Sequence, residues 1–470
     1  MNIALREKSP TLDRLGRSLP YVIACLPPLY LITIILTNTV DVPFADQWAL
    51  VPLLERSYRG TLSVRDLWAQ HNEHRLLFPR LIMLALARLS GWSTHAEMLA
   101  NVALAAGIFG ILAYQLRTTA QRTRMAWAWM APVLSLAVFS LSQAENWWGG
   151  WNIQIFLNVL AVCAGIVLLT RHRGRLGALT LALGCGIVAT YSYSNGLLIW
   201  PLGLALLMMR SDRWTKPNAV RIIAWVCGGI LMMASFFYKY SWTVQTPRLA
   251  EVLNSPGRYL TYTLTYLGAP PTRGAVEYLF GVLTGDLGAF CNLGDSDLCT
   301  YVNEAAIGAG AIGIILFLAI VRSLGRRLTL QPLLPYLGLG LYALSTGVLT
   351  SLGRASYGNH QALAQRYATN ASLFWLALVI LFALHAHVSA AQAFKRAGAA
   401  ALIVTFSILT TLCTLQGLDH FRWQYEFLTP ARNELFTLAN DDMLRRLYFD
   451  PQVVRQGAAI LRRRHLSVFR

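Results

Sequence analysis

Apolar runs long enough to cross a bilayer recur along most of the chain, and they constrain the fold more than any other feature. They lie near residues 20–39, 97–115, 126–143, 152–170, 176–192, 196–209, 222–238, 304–321, 332–352, 368–386 and 397–415. A helix needs about 20 such residues to span a hydrocarbon core of ~30 Å. Lipid offers no partner to backbone N–H and C=O groups, so only helices and closed barrels cross it. The expected fold is therefore an all-α polytopic membrane protein with about eleven transmembrane helices.

Composition closes off the alternatives. Of the 470 residues, 55% are apolar and 13% are charged, about half the usual charged share of a globular chain. Mean hydropathy is +0.46. A soluble domain of this length needs a charged surface around one core, and a disordered chain needs still more polarity, so both are excluded. The net charge of +18 comes from 40 Lys and Arg against 22 Asp and Glu. In a membrane protein this excess belongs to short cytoplasmic loops and anionic headgroups, so membrane lipids are expected partners and nucleic acid is not.

The basic clusters set an orientation. Residues 1–19 carry Arg6, Lys8, Arg14 and Arg17 ahead of the first apolar run, which is too long for a cleavable signal and is retained as the first helix. RTTAQRTR (117–124), RHRGR (171–175), RSDRWTK (210–216), RSLGRR (322–327) and FKR (394–396) are expected on the cytoplasmic side with the N-terminus. QAENWWGGWN (143–152), YSYSN (191–195), the long 239–303 connection and GRASYGNHQALAQRY (353–367) then face outside. Segment 76–92 is apolar enough to span, but a full span there would invert every later loop. It is read as re-entrant or interfacial, inside a long first external loop, 41–96. The transmembrane domain is placed at 20–415. The tail, 416–470, is amphipathic and carries nine Arg. It is expected on the outer membrane surface, where the charge rule weakens for long segments.

Five cysteines lie in apolar runs. Cys291 and Cys299 instead bracket the polar stretch NLGDSDL. A disulfide between them implies an oxidising, extracytoplasmic side; the alternative is two free thiols. There is no GxxxxGK[ST] loop and no strand–GxGxxG–helix, and no cytoplasmic loop exceeds about a dozen residues. Chemistry, if present, is expected at the outer helix ends.

The first external loop holds the densest set of candidates. Asp41 and Asp46 follow the first helix, where a carboxylate can take a proton from a hydroxyl while a lipid tail stays in the bilayer. Either also suits helix capping. HNEHR places His71, Glu73, His74 and Arg75 within five residues, a mixture that fits phosphate or sugar binding. The same stretch fits a polar turn, and His with carboxylate fits a metal, but the spacing is not HExxH. Glu145, Asn146 and Trp147 open ENWWGGWN, which suits sugar recognition or an interfacial aromatic belt. Arg354 and Arg366, the latter followed by Tyr367, are cations on an outer loop, fit for a leaving phosphate or a lipid headgroup. The 191–195 break lines a cavity or forms a plain helical hairpin.

These segments carry a resemblance. The long loop after helix one, with an acid near its start and surface helices within it, resembles the GT-C glycosyltransferases. So do ADQW (45–48), DLWAQHNEHR (66–75), ENWWGGWNIQ (145–154), SNGLLIWPLG (194–203), QRYATNASLFW (365–375) and HLSVF (465–469), which resemble a bacterial group of GT-C-like membrane proteins. The resemblance implies a multi-pass inner-membrane enzyme with interfacial or re-entrant helices and a long first periplasmic loop. It implies a polyprenyl-phosphate sugar donor, a glycan or lipid acceptor, inversion at the anomeric carbon, and an Asp general base at Asp46, with Asp41 the alternative. Residue 45 is Ala where many such proteins have a second acid. No cofactor and no metal is expected on that account, with a divalent ion left open. A transporter or flippase of a lipid-linked sugar, or an inactive assembly scaffold, are the competing readings.

Overall fold

The computed structural model of the chain describes residues 10–123, 125, 127–171, 176–210, 215–242, 249–286, 290–291, 296–388 and 393–470. Residues 1–9, 172–175, 211–214 and 292–295, on which parts of the orientation and loop expectations rest, lie outside the described residues.

The first helix, α1 (Pro10–Asn38), leads into a turn of 3-10 helix, Ala45–Leu50. Then come α2 (Val51–Tyr58), α3 (Val64–Trp68), a two-stranded hairpin of β1 (Gln70–His71) and β2 (His74–Arg75), and α4 (Leu77–Ser90). The bundle continues through α5 (Thr94–Thr123), α6 (Met130–Val138), α7 (Ala144–Trp147), α8 (Ile153–Arg171), α9 (Leu176–Thr190), α10 (Ile199–Met208) and α11 (Lys216–Phe237). It is completed by α12 (Leu249–Asn254), α13 (Pro256–Thr284), α14 (Asp297–Gly325), α15 (Leu334–Arg354), α16 (Ala368–Val388) and α17 (Ala393–Glu434). Two short helices, α18 (Asp441–Leu447) and α19 (Pro451–Arg464), follow.

Among the described residues, eight helices are long and apolar enough to cross a membrane: α1, α5, α8, α11, α14, α15, α16 and α17. The other three expected runs form shorter helices. The run at 126–143 stops at Val138, because Ser140 turns the chain and takes the Ser142 N–H and, on its carbonyl, the Trp147 indole N–H. The runs at 176–192 and 196–209 become α9 and α10, joined by a tight reversal in which Gly196 lies against the Ala189 carbonyl. A Cβ there would sit 1.9 Å from that oxygen, so only glycine fits.

The connection 239–303 departs most from expectation. It contains α13, a 29-residue helix packed antiparallel on α14. The two backbones meet at Gly268 against Ala306 and at Gly310 against Leu264, where any Cβ would clash. Its Tyr- and Thr-rich sequence lacks the hydropathy of a span, and Pro270 and Pro271 fall inside it. Pro271 has no N–H for the Leu267 carbonyl, and the Trp375 indole N–H fills that vacancy at 2.7 Å. Cys291, in the connection after α13, is joined by a disulfide to Cys299 in the first turn of α14.

The polar connections gather at one end of the bundle, the loop end. There α2, α4, the 3-10 turn, α18 and α19 bury a second apolar core through Trp48, Leu54, Leu76, Trp92, Leu447 and Val454. The ends near the basic clusters meet at the opposite end, where Arg210 reaches the Leu169 carbonyl and Gln331 that of Thr170. At 14 residues α4 is short for a span, as an interfacial reading requires. The boundary placed at 415 falls inside α17, whose 42 residues extend about 63 Å at ~1.5 Å each. That overhang carries the tail back onto the first loop. Its arginines find acids there: Arg464 pairs with Glu55 at 2.9 Å, and Arg470 pairs with Asp41.

This docking is expected to depend on pH. Glu55 is pulled down to about 2, chiefly by the hydrogen bond from Arg464. Asp41 also lies below its usual range: burial acts to raise it, and Thr94, Arg470 and Ser93 outweigh that. Such carboxyls stabilise the fold above their unfolded value near ~4 and lose that contribution as pH falls. Hydrogen exchange in α19 should therefore rise between about pH 4 and pH 2. Flat exchange across that window, after correction for the intrinsic rate, contradicts the docking.

Candidate active site

The 3-10 turn presents one side chain and anchors its neighbours. Ala45 turns the chain through a left-handed conformation, φ 49°. Gln47 is buried, and its amide donates to Glu97 Oε2 at 2.7 Å while its oxygen accepts the Phe44 N–H. Trp48 is buried against Gly457 of α19, where a Cβ would lie 2.8 Å from the ring. Of the turn's polar side chains Asp46 stays open, 47% exposed. Its Oδ2 lies 3.6 Å from His71 Nε2. The His71 imidazole, outweighing partial burial and aided by the Arg366 charge, holds the carboxyl below the usual range. Asp46 is therefore an anion at neutral pH.

Asp41 has a different fate from the alternative base expected above. It accepts from the Thr94 N–H at 2.7 Å, the Thr94 hydroxyl at 2.9 Å and the Ser93 hydroxyl at 2.9 Å, and it pairs with Arg470. Both oxygens are occupied in capping the N-terminus of α5, where the helix dipole favours an anion.

The HNEHR segment is the β-hairpin, with Asn72 in the left-handed region at φ 49°. His71 pairs with His74 and Gln70 with Arg75, so strand alternation sends the two pairs to opposite faces. On one face His74 is buried and stacked on Tyr193, with ring centroids 4.2 Å apart. Its Nδ1 accepts the Ser194 N–H at 3.2 Å, which puts the ring proton on Nε2. Burial lowers its pKa to about 4, so the ring is neutral. Nε2 faces Glu73 at 3.7 Å, and Glu73 takes a 2.6 Å hydrogen bond from Arg354.

Arg75 lies on the other face, away from these groups, contrary to its expected binding role. It is 4% exposed and donates to the carbonyls of Phe236 (2.6 Å), Tyr238 (2.5 Å) and Trp68 (3.2 Å). It caps the C-terminal carbonyls of α11, where a cation suits the dipole. Arg75→Ala strands these buried acceptors and should cost on the order of 3 kcal/mol. The check is thermal unfolding in detergent; an unchanged midpoint contradicts the cap.

Segment 144–152 packs on 365–367. Asn146 is buried and its amide donates to the Arg366 carbonyl at 3.0 Å and the Thr369 hydroxyl at 2.7 Å. Trp147 is buried and stacked on Phe156 at 4.5 Å. Both side chains are fully buried; Asn146 supports the Arg366 turn, and the Trp147 indole N–H instead donates to the Ser140 carbonyl. Glu145 is half-buried and interacts electrostatically with Arg366. Trp151 instead packs edge-on against His71, with centroids 5.0 Å apart.

Arg366 is exposed, and its guanidinium lies 5.7 Å over the Tyr367 ring. Among the described residues it makes no ion pair within 4.0 Å. The site thus brings together an open carboxylate, Asp46, and an open guanidinium, Arg366. Neutral His74, the Glu73–Arg354 pair and Tyr193 lie beside them. Among the described residues, no three His, Cys, Asp or Glu side chains are placed to hold a metal ion. Two residues at the site escaped the sequence reading, Gln47 and Glu97. The available signal was an acid near the start of an apolar helix, a position where burial is costly.

No protein-family model matches the chain, and no curated protein matches it. Three solved structures are similar to it. ArnT from Cupriavidus metallidurans bound to undecaprenyl phosphate is 13% identical with TM-score 0.42, over 96% of this chain and 88% of that one. The archaeal oligosaccharyltransferase AglB from Archaeoglobus fulgidus, in complex with an inhibitory peptide and a dolichol-phosphate, is 12% identical with TM-score 0.49, over 94% of this chain and 60% of that one. ArnT from Cupriavidus metallidurans in the apo state is 14% identical with TM-score 0.39, over 95% of this chain and 89% of that one.

Proposed function

We propose that the chain is a membrane glycosyltransferase of the GT-C type that moves a sugar from a polyprenyl-phosphate carrier to a hydroxyl acceptor at the periplasmic face. The observation that carries this reading is the pairing of two open, opposite charges at the loop end. Asp46 is an anion whose neighbours Gln47 and Trp48 are both anchored. Arg366 is a cation without an ion-pair partner among the described residues, on a turn held by Asn146. Transfer needs a base for the acceptor proton and a cation for the leaving phosphate.

In this mechanism the acceptor oxygen loses its proton to an Asp46 oxygen and attacks the anomeric carbon. The bond from that carbon to the phosphate oxygen breaks on the opposite face. Its electron pair leaves with polyprenyl phosphate, and the sugar is inverted. Arg366 takes up the charge that develops on the phosphate, supported by Arg354. His71 orients the Asp46 carboxylate from 3.6 Å. His74, neutral and fixed by Ser194, holds the hairpin without adding a charge that would compete for the phosphate.

The test is a reconstitution in vesicles made from the host membrane's total lipid, which contains its lipid-linked sugars, with envelope glycan from a deletion strain added as acceptor. Transfer predicts that a lipid-linked sugar disappears while polyprenyl phosphate rises in step. If the lipid-linked sugar only changes leaflet and is not consumed, the chain is a transporter.

A further inference from the structure

The N-terminal turns of α5 carry three polar residues on one face, at spacings of three and four: Thr94, Glu97 and Asn101. All three are buried, and each fastens a different segment of the loop end. Thr94 holds Asp41. Asn101 donates to the carbonyls of Asn146 (3.3 Å) and Gly149 (3.1 Å), in the segment that supports Arg366. Glu97 lies between them at 0% exposure. Its Oε2 accepts from the Gln47 amide at 2.7 Å and its Oε1 from the Trp92 indole N–H at 3.0 Å. Gly150 is packed so closely on it that a Cβ there would fall 1.9 Å from Oε2.

An acid buried at the end of an apolar helix is destabilising, and a well-packed apolar residue is often the more stable choice. The hydrogen bonds of Glu97 go to Gln47 and Trp92 and not to the charged groups of the cleft. It acts on Gln47, the residue that follows Asp46. We infer that Glu97 is a positioning residue: through Gln47 it fixes where the Asp46 carboxylate stands relative to the turn that carries Arg366. The inference rests on the reading of Asp46 as the base. Both Glu97 oxygens accept, so a glutamine cannot replace it: its amide would meet either the Gln47 amide or the Trp92 N–H, donor against donor. Exchanging the two side chains restores every bond. The glutamine placed at position 97 would accept from Trp92 and donate to the glutamate placed at position 47, whose second oxygen still takes the Phe44 N–H.

The experiment compares Glu97→Gln, the double variant carrying both Gln47→Glu and Glu97→Gln, and Asp46→Asn in a deletion strain, at matched membrane levels. Transfer is read as sugar mass added to the envelope glycan per unit time. Purified proteins are assayed for binding of polyprenyl phosphate. Displacing a base by a fraction of an ångström should slow Glu97→Gln about 10–100-fold, while polyprenyl-phosphate binding stays within about twofold and the double variant recovers most of the rate. A native rate in Glu97→Gln, or a double variant as slow as Glu97→Gln, overturns the positioning role. So does a loss of binding parallel to the loss of rate, which is what general unfolding gives. Full activity in Asp46→Asn overturns the base reading itself, and an inactive Asp46→Asn beside a native-rate Glu97→Gln overturns only the present inference.

Discussion

Asp46→Asn should lower sugar transfer by about 10²–10⁴-fold, the range for losing a positioned general base, without unfolding the protein. Asparagine keeps the shape and the His71 contact but cannot accept the acceptor's proton. The anchors of the turn are elsewhere, at Gln47 on Glu97 and Trp48 on Gly457, so the backbone should hold. Polyprenyl-phosphate binding should stay near native, because Arg366 is carried by a different segment. The measurement pairs transfer rate with lipid-phosphate binding on one preparation. A native rate, or a rate lost only in proportion to folded protein, contradicts the assignment.

Arg366→Ala should show the opposite split. Its guanidinium is open and its backbone is fixed from behind by Asn146. Removing it should weaken polyprenyl-phosphate binding about 10–100-fold, the equivalent of one charged hydrogen-bond pair. Arg366→Lys keeps the charge but not the planar fork, and should recover only part of the loss. Binding should also fall steeply with salt in the native protein and more gently in the alanine variant. Equal affinity of native protein and Arg366→Ala for polyprenyl phosphate places the phosphate elsewhere.

Much of the architecture was legible because lipid imposes simple rules. Eight of the eleven apolar runs are long helices, and the helix ends that flank two of the basic connections meet at the end away from the first loop. What stayed hidden depends on pairing that no periodicity encodes. Helix α13 was invisible because its tyrosines, threonines and prolines lower its hydropathy, while its burial comes from α14 to α17 around it. Of the tail's nine arginines, Arg464 and Arg470 meet Glu55 and Asp41 of the first loop, partners more than 400 residues away that sequence patterning does not reveal.

The site was legible at the level of segments and less so at single residues. The 3-10 turn, the hairpin and the 365–367 turn do converge. Within HNEHR, however, strand alternation separates His71 and His74 from Arg75, and five consecutive letters cannot show which face each takes. Asn146 and Trp147 read as sugar-binding types, and their burial against Arg366 and Phe156 respectively comes from packing that the letters do not show. Asp41 and Asp46 look equivalent in sequence. They differ because one meets the N-terminus of a helix that starts 53 residues later and the other does not.

The most direct measurement is the envelope-glycan mass profile of three strains: a deletion, the deletion restored with the native protein, and the deletion restored with Asp46→Asn, at matched membrane levels. The native protein should restore a missing hexose-sized or pentose-sized mass, and Asp46→Asn should not. Equal restoration by both proteins would contradict sugar transfer through Asp46.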